Sequence, residues 1–286
     1  MASDLDDAQA STARVRAVAR ALRQLFSARP AGLLTDVDGT ISRITRRTND
    51  ATVSAEARRA LTRLGTRLDL VTVVTGRAVE RAQQMVQVAS IGYVGNHGLE
   101  WLADGAVQTD PAAEAARPAL QSALADVRAA IPSSELAIED KRVSLAIHYR
   151  LATAPAEIGA RVLEILEPYA RSGSLRLIEG GLVVNVLPAV PIDKGAAARR
   201  LVEQHGLRSV AFFGDDVTDL DAFRVLRELR SAGAVDALTV GVGSVEGPPE
   251  VRAEADLILE GVGEVERVLT ALARPPRSTP AVTHGA

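Results

Sequence analysis

Two carboxylates, two residues apart, stand directly before a glycine near the start of the chain. They are Asp36 and Asp38, in the segment Leu33–Thr40, which reads LLTDVDGT. Carboxylates can attack an electrophile, transfer protons or bind a hard cation. A calcium-binding loop also begins Asp-x-Asp, but it needs glycine at its sixth position and glutamate at its twelfth. Ile41 and Arg47 occupy those positions, so a calcium loop is excluded.

A threonine, a glycine and an arginine follow a second apolar run, in VVTGR at Val73–Arg77. The hydroxyl of Thr75 and the backbone N–H groups after it would form a phosphate cradle if a helix begins there. Threonine and glycine are also common after strands that bind no phosphate. This segment therefore supports a phosphate site only in combination with the others.

Two further segments complete the set of candidate residues. Lys194 opens a helical pattern in PIDKG (Pro191–Gly195), and Asp215, Asp216 and Asp219 follow an apolar run in FFGDDVTD. Clustered acids repel one another unless a cation lies among them, and oxygen ligands at a phosphate site favour Mg²⁺. Asp219 is also well placed to cap the next helix, and the sequence leaves these two roles open.

The lysines of the chain are unusually few. Of its 33 basic residues only Lys141 and Lys194 are lysine, and the others are arginine. A coding bias towards arginine explains the general pattern but not these two exceptions. Lysine is a compact point charge, whereas arginine is a wide planar fork, so a tight site can require lysine. Both lysines are therefore candidate functional residues, the alternative being chance survival.

The candidate residues fall at the ends of predicted strands that alternate with helices. This alternation is typical of an α/β fold with a Rossmann-like, doubly wound parallel sheet, in which ligands bind outside the carboxyl ends of the strands. The predicted strands of this core are Ala31–Thr35, Leu68–Thr75, Ile91–Val94, Ser209–Phe213 and Leu238–Val242. The predicted helices are 8–28, Ala55–Leu64, Ala78–Val86, Lys194–His205, Asp219–Leu229 and Glu264–Leu272.

Residues 111–188 have a different pattern, which predicts an inserted α+β cap domain. Two α-β-β units follow one another, and together they would form an antiparallel sheet backed by two helices. The elements are a helix over 113–130, strands Glu135–Glu139 and Arg142–Tyr149, a helix Pro155–Arg171, and strands Ser174–Ile178 and Leu182–Leu187. The predicted division is an N-terminal helical segment (1–29), a catalytic core (30–110 and 189–273), the cap (111–188) and a disordered tail (274–286).

Bulk composition excludes several classes of protein. The formal net charge of −3 has none of the basic excess of a nucleic-acid binder, and the absence of cysteine excludes disulfides and thiolate metal sites. No apolar run reaches the roughly 20 residues needed to cross a bilayer. The acidic N-terminus does not resemble a signal peptide. We therefore expect a cytoplasmic protein that binds a small molecule, with no nucleic-acid or membrane partner; the sequence does not indicate an oligomeric state.

Taken in order, the four segments resemble the motifs of the haloacid dehalogenase-like phosphatases, and the resemblance spans residues 31–260. It implies that Asp36 attacks phosphorus and becomes an aspartyl phosphate, while Asp38 protonates the leaving alcohol and then activates water. It implies that Thr75 holds a phosphoryl oxygen and that Lys194 stabilises the nucleophile and the phosphate charge. The implied cofactor is Mg²⁺, bound by Asp36, the backbone carbonyl of Asp38, Asp215 and Asp216.

Within that superfamily the chain most resembles the trehalose-6-phosphate phosphatases. The segments that carry this resemblance are GNHGLE at Gly95–Glu100, EDK at Glu139–Lys141, Ser144 with HYR at His148–Arg150, DKG at Asp193–Gly195 and GDDVTD at Gly214–Asp219. The resemblance implies hydrolysis of trehalose 6-phosphate to trehalose and phosphate. The implied substrate-binding residues are Gly76, Arg77, Asn96, His97, Glu100, Glu139, Lys141, His148, Arg150 and Asn185. Both lysines thus fall on implied site residues.

Three departures from the family pattern bear on the substrate. Ile41–Arg43 stand where the family usually has proline, Leu220 replaces a glutamate, and Asn185 replaces a glutamate expected to accept hydrogen bonds from sugar hydroxyls. The alternatives are a phosphatase for a related sugar or pseudo-disaccharide phosphate, or an inactive sugar-phosphate sensor. The intact motif residues argue against the sensor.

Overall fold

The computed structural model describes residues 2–45, 51–244 and 247–274. Its twelve described strands are β1 (Ala31–Thr35), β2 (Leu70–Val74), β3 (Gly92–Gly95), β4 (Glu100–Ala103), β5 (Ala106–Thr109), β6 (Ala137–Asp140), β7 (Leu145–His148), β8 (Leu175–Gly180), β9 (Val183–Pro188), β10 (Ser209–Gly214), β11 (Asp236–Gly243) and β12 (Leu257–Glu260). Its ten described α-helices are α1 (Ala2–Leu25), α2 (Ala55–Gly65), α3 (Val79–Val86), α4 (Pro111–Ala115), α5 (Arg117–Ala130), α6 (Pro155–Arg171), α7 (Lys194–Gln204), α8 (Asp219–Ser231), α9 (Pro249–Glu254) and α10 (Val262–Ala273). The tail predicted to be disordered lies outside the described residues apart from Arg274.

Eight strands form one large sheet in the order β12-β11-β10-β1-β2-β3-β4-β5. The pairs from β12 to β3 are parallel, and β1 lies at the centre, with Thr35 beside Phe213 of β10 and beside Val73 of β2. All five residues of β1 are buried, as expected for a parallel strand covered on both faces. The carboxyl ends of β1, β2 and β10 therefore meet at one edge of the sheet.

Helices cover both faces of this sheet. Alternate residues of each strand point to opposite faces, so that Phe213 of β10 packs with α1, α2, α3 and α10, whereas Phe212 packs with α7, α8 and α9. This double layer confirms the predicted doubly wound α/β fold. None of the helices in the described ranges combines the length and the hydrophobicity that a membrane span requires.

Residues 137–188 form a second, four-stranded antiparallel sheet in the order β6-β7-β9-β8. One face packs on α5 and α6 in a separate apolar cluster that includes Leu124, Ile147 and Val162. The element order is helix-strand-strand twice, as the sequence predicts. We call residues 111–188 the cap; its exact boundaries stay a prediction.

The structure corrects the sequence prediction in four places. The large sheet is not wholly parallel, because β4 and β5 form an antiparallel hairpin at one edge. Helix α9 and strand β12 were not predicted. The helix predicted over 113–130 is two helices that meet at Ala116, since Pro118 lacks the N–H needed to continue the first one.

Candidate active site

The nucleophile candidate lies where β1 ends. The backbone N–H of Asp36 donates to the carbonyl of Phe213 (2.8 Å), which ties this residue to β10 beyond the paired strands. The turn that follows depends on Gly39, which has φ +78° and which lies so close to β10 that a β-carbon would be 1.9 Å from Oδ2 of Asp215. Thr40 donates its hydroxyl to Oδ1 of the same carboxylate (2.8 Å). Glycine thus allows the two strand ends to bring Asp36 and Asp215 together.

Lys194 bridges two buried carboxylates. Its Nζ lies 2.9 Å from Oδ1 of Asp36 and 2.7 Å from Oδ1 of Asp219, and its side chain is 3% exposed. Burial alone would lower the pKa of Lys194, but the two carboxylates raise it above its ordinary value. The lysine is therefore a fixed positive charge that holds the Asp36 carboxylate in place.

Three carboxylates converge in a way that suits a divalent cation. Asp36, Asp215 and Asp219 each offer one oxygen, and these oxygens lie within 4.8 Å of one another. Burial raises the pKa of all three carboxyls, and their neighbouring negative charges add to the effect while Lys194 opposes it. A hard cation among them would relieve this repulsion, so the donor set fits Mg²⁺.

The two other acidic residues after β10, Asp216 and Asp219, differ in burial and in their contacts. Asp219 does not cap α8: it is the first residue of that helix, and its Oδ2 accepts the backbone N–H groups of Asp215 and Asp216 (3.0 Å each). The alternative role of Asp219 as a helix cap is therefore wrong. The side chain of Asp216 is exposed, and its role as a metal ligand stays a prediction.

The loop after β2 lies beside the nucleophile. Thr75 is almost fully buried, and its hydroxyl accepts the backbone N–H of Arg77 (3.2 Å). The guanidinium of Arg77 donates to both carboxylate oxygens of Asp38, at 2.6 and 2.7 Å. Burial opposes the charge of Arg77, but Asp38 more than compensates and raises the arginine pKa. The guanidinium of Arg77 thus orients Asp38, the predicted acid–base residue.

The segment 96–100 packs directly beneath this loop. Asn96 and His97 have left-handed φ values of +48° and +58°, and a β-carbon on Gly76 would be 2.6 Å from Nε2 of His97. Burial lowers the pKa of His97 well below its ordinary value, so the imidazole is neutral. Glu100 accepts the first N–H of α3, from Val79 (2.6 Å), and so replaces the missing side-chain cap of that helix. Its predicted substrate contact stays a prediction.

One face of the cap sheet, which carries Glu139, His148 and Asn185 and is called the polar face below, is turned towards this site. Opposite residues of an antiparallel pair share a face, and Glu139 lies opposite Ala146, Asn185 opposite both Ala146 and Ile178, and His148 opposite Val183. The neighbouring residues of these strands pack on α5 and α6, so this face is turned away from the helices.

Among the predicted sugar contacts, Glu139 and His148 lie close together, with Nε2 of His148 3.7 Å from Oε1 of Glu139. Lys141 donates its Nζ to the backbone carbonyl of Gly76 (2.8 Å), so the cap touches the loop after β2. Burial lowers the pKa of Lys141 and that of His148, and Glu139 opposes both shifts. Arg150 lies at the far end of β7, where it is exposed and donates to the carbonyl of Gly181 (2.9 Å).

Comparison with known proteins identifies the family of the chain. The trehalose-phosphatase family model matches residues 34–259, which include the core motifs and the whole cap. The chain belongs to the trehalose-phosphatase family. The predicted resemblance is thereby confirmed.

Two curated trehalose-phosphate phosphatases are similar to this chain in sequence, and one solved structure is similar to it in fold. The chain is 36% identical over 201 residues to the trehalose-phosphate phosphatase of Mycolicibacterium paratuberculosis, a match covering 67% of this chain and 50% of that one. It is 33% identical over 240 residues to the enzyme of the same name from Mycobacterium ulcerans, covering 77% and 60%. The chain therefore spans only half to three fifths of these curated relatives. The structure of the C-terminal domain of Candida albicans trehalose-6-phosphate phosphatase superposes with a TM-score of 0.74 at 20% identity, covering 88% and 94%.

Sequence reasoning missed two kinds of residue at this site. Arg176 and Ile178 lie on the same face of the cap sheet as Asn185, and Arg176 donates to the carbonyl of Ile192 between the cap and α7. The sequence shows that Arg176 and Ile178 are two residues apart and so share a face of β8. Only the pairing of β8 with β9 shows that this is the face of Asn185. Thr40, which orients Asp215, is the last residue of the predicted segment LLTDVDGT, but nothing in that segment indicated a role for its hydroxyl.

Proposed function

We propose that this member of the trehalose-phosphatase family hydrolyses trehalose 6-phosphate to trehalose and inorganic phosphate. The observation that carries the proposal is the contact between Lys141 Nζ and the Gly76 carbonyl. It brings the polar face of the cap onto the loop beside Asp36. A phosphate at Asp36 would therefore place its alcohol portion against Glu139, Lys141 and His148, and hydroxyl-rich sugars suit such donors and acceptors.

In the proposed reaction a carboxylate oxygen of Asp36 attacks phosphorus, and the bond from phosphorus to the sugar oxygen breaks. Asp38 donates a proton to that oxygen and releases the sugar alcohol. Asp38 then takes a proton from water, which attacks the aspartyl phosphate and releases phosphate. Lys194 and Asp219 keep the attacking carboxylate in line, and positioning of this kind accounts for a large part of phosphoryl-transfer catalysis.

Mg²⁺ would be bound by Asp36, Asp215 and Asp219, with the predicted backbone carbonyl of Asp38 and the carboxylate of Asp216 close by. Its chemical contribution is positive charge that screens the repulsion between a carboxylate and a dianionic phosphate. Thr75 and the N–H groups after β2 would hold the phosphoryl oxygens.

The test is a phosphate-release screen with Mg²⁺ across trehalose 6-phosphate, other disaccharide phosphates, glucose 6-phosphate and 4-nitrophenyl phosphate. We expect the highest kcat/KM on trehalose 6-phosphate. A second candidate substrate, a related disaccharide or pseudo-disaccharide phosphate, is favoured by Asn185, which lies on the core-facing side of the cap sheet between Ala146 and Ile178. Higher kcat/KM on such a compound would replace the first candidate by the second.

A further inference from the structure

The turn between β6 and β7 is attached to the core by a buried polar contact. Ser144 donates its hydroxyl to Oδ1 of Asn96 (2.7 Å), and Nδ2 of Asn96 donates to the carbonyl of Lys141 (3.3 Å). Ser144 is 2% exposed and Asn96 is fully buried. Both polar atoms of the Asn96 carboxamide are thus bonded to the cap.

Asn96 is itself held rigidly by the core. Its backbone N–H donates to the carbonyl of Arg77 (2.8 Å), and its side chain also contacts the Glu100 carboxylate that caps α3. Its left-handed backbone is one that asparagine tolerates better than most residues. The network therefore runs from the loop after β2, through Asn96, to the turn of the cap.

An apolar cluster reinforces the same junction. Leu99 of the core, Ala113 of α4, and Val143 and Leu187 of the cap are all fully buried against one another. This cluster and the Asn96 network lie at the same turn, because Val143 directly precedes Ser144. The turn is therefore packed against the core by side chains from both modules.

Ser144 also shapes the turn that carries Lys141. The carbonyl of Ser144 accepts the backbone N–H of Lys141 (2.9 Å), and its hydroxyl fixes the turn on Asn96. At the far side of the same turn, Nζ of Lys141 reaches the carbonyl of Gly76 (2.8 Å). The position of this ammonium group relative to the loop after β2 therefore depends on how the turn packs against the core.

We propose that Asn96 and Ser144 are a positioning pair, whose buried hydrogen bond seats the β6–β7 turn and thereby places Lys141 against the loop after β2. In this assignment Asn96 acts on the substrate through Lys141 rather than by direct contact. The inference deepens the proposed function, on which its kinetic test rests, but its structural test needs no substrate.

The structural test uses the fact that the chain has only two lysines. Protein labelled with ¹³C at the lysine ε carbon should give two NMR signals, assigned with Lys141→Met. In Ser144→Ala we expect the Lys141 signal to move towards the position of a solvent-exposed lysine while the Lys194 signal stays in place. Ser209→Ala is the matched control, because Ser209 is an equally buried serine whose hydroxyl donates to the Ala28 carbonyl at the other end of the sheet. It should move neither signal.

The kinetic test separates positioning from general damage. Ser144→Ala leaves the buried Asn96 oxygen without its donor, and we expect kcat/KM for trehalose 6-phosphate to fall between about 5-fold and 100-fold, mainly through KM. Activity on 4-nitrophenyl phosphate, which has no sugar for Lys141 to hold, should change less than about 2-fold. In a Lys141→Met background the Ser144→Ala effect should disappear, because the two changes act on one interaction.

Three results would overturn the proposal. One is a Lys141 signal that does not move in Ser144→Ala. Another is an equal loss of activity on both substrates, which would indicate damage to the core, and the third is a full Ser144→Ala effect without Lys141. If the wild-type protein has no activity on trehalose 6-phosphate, the proposed function fails, whereas the NMR result still decides whether Ser144 positions Lys141.

Discussion

Replacement of Lys194 by arginine would test whether the buried site between Asp36 and Asp219 accepts a cation wider than an ammonium group. Both residues carry one positive charge, so the substitution preserves the charge and changes only its shape. The ammonium group of Lys194 lies between Asp36 and Asp219, 2.9 and 2.7 Å from their oxygens. The carboxylates are 6% and 0% exposed, so a wider group between them would have to displace at least one of the two.

The expected magnitude follows from this geometry. A guanidinium is wider than an ammonium and would push the Asp36 carboxylate away from the line of attack. A displacement of about 1 Å at a reacting group costs roughly 100-fold in rate, or about 2.7 kcal/mol at the transition state. Because the pair of charges survives, stability should fall less than in Lys194→Met, which leaves two buried carboxylates unpaired at a cost of about 3–5 kcal/mol.

The assay is steady-state phosphate release in Mg²⁺ on the best substrate, with thermal unfolding to confirm that each variant folds. Lys141→Arg is the matched control, because Lys141 contacts a single carbonyl oxygen, that of Gly76. We expect Lys194→Arg to lower kcat about 100-fold and Lys141→Arg to change mainly KM. A kcat for Lys194→Arg within about 3-fold of the wild-type value would refute the reasoning and would leave the two lysines as accidents of codon usage.

Three further variants test other parts of the structure. Asp36→Asn should abolish turnover and phosphoenzyme formation while leaving the melting temperature within a few degrees, and EDTA should have the same effect on the wild type; activity in either condition would exclude the proposed mechanism. Asn185→Glu should lower KM for trehalose 6-phosphate about 10-fold with little change in kcat, since a carboxylate accepts sugar hydroxyls more strongly than an amide; loss of activity on the best substrate would instead make Asn185 a determinant for another sugar. Burial raises the pKa of Glu264, but hydrogen bonds from Arg14, from the backbone N–H of Glu260 and from Ser11 lower it to about 2 against an ordinary 4.5. Glu264→Gln should therefore cost at most about 3 kcal/mol at pH 7. Because this folded pKa is depressed, the difference in urea unfolding should persist above pH 4.5 and shrink as the pH falls towards 2; a difference that does not depend on pH would contradict the assignment.

Local patterns were sufficient to predict the core strands. The run Ala31–Thr35 has no charged residue and is followed directly by the carboxylate of Asp36, and the structure has a strand with those bounds. The rule that ligands bind at the carboxyl ends of parallel strands then placed Asp36 and Asp215 at one edge, where they are found. These predictions needed only the spacing of the apolar residues and the direction in which each strand runs.

Some missed features had a local signal. Strands β4 and β5 are joined by Asp104 and Gly105, which have φ values of +51° and +76°. Asp-Gly between two short apolar runs is a sign of a tight hairpin, and it was present in WLADGAVQ. The short strand β12 has only four residues, too few for its period to stand out.

Other features depend on which segments meet in space. Asp219 could have capped its own helix, but Lys194, 25 residues earlier, gives its carboxylate a stronger partner. The role of Glu100 likewise depends on the N-terminus of α3, which no local pattern connects to it. The pairing of β7, β8 and β9 decides which cap residues share a face, and spacing along the chain does not contain that information.

The separate apolar cluster of the cap has an evolutionary consequence. In the described part of the chain, that cluster draws on the helix-covered face of the cap sheet, whereas Ala146, Ile178 and Asn185 lie on the other face. Of these three, Asn185 is only half-buried, so substitutions there would alter the surface proposed to meet the sugar without disturbing the apolar cluster between the sheet and its helices. Under the proposed function, such a change would shift the preference from one sugar phosphate to another, whereas Lys194 and Asp219, which are buried and bonded to one another beside Asp36, leave little room for substitution.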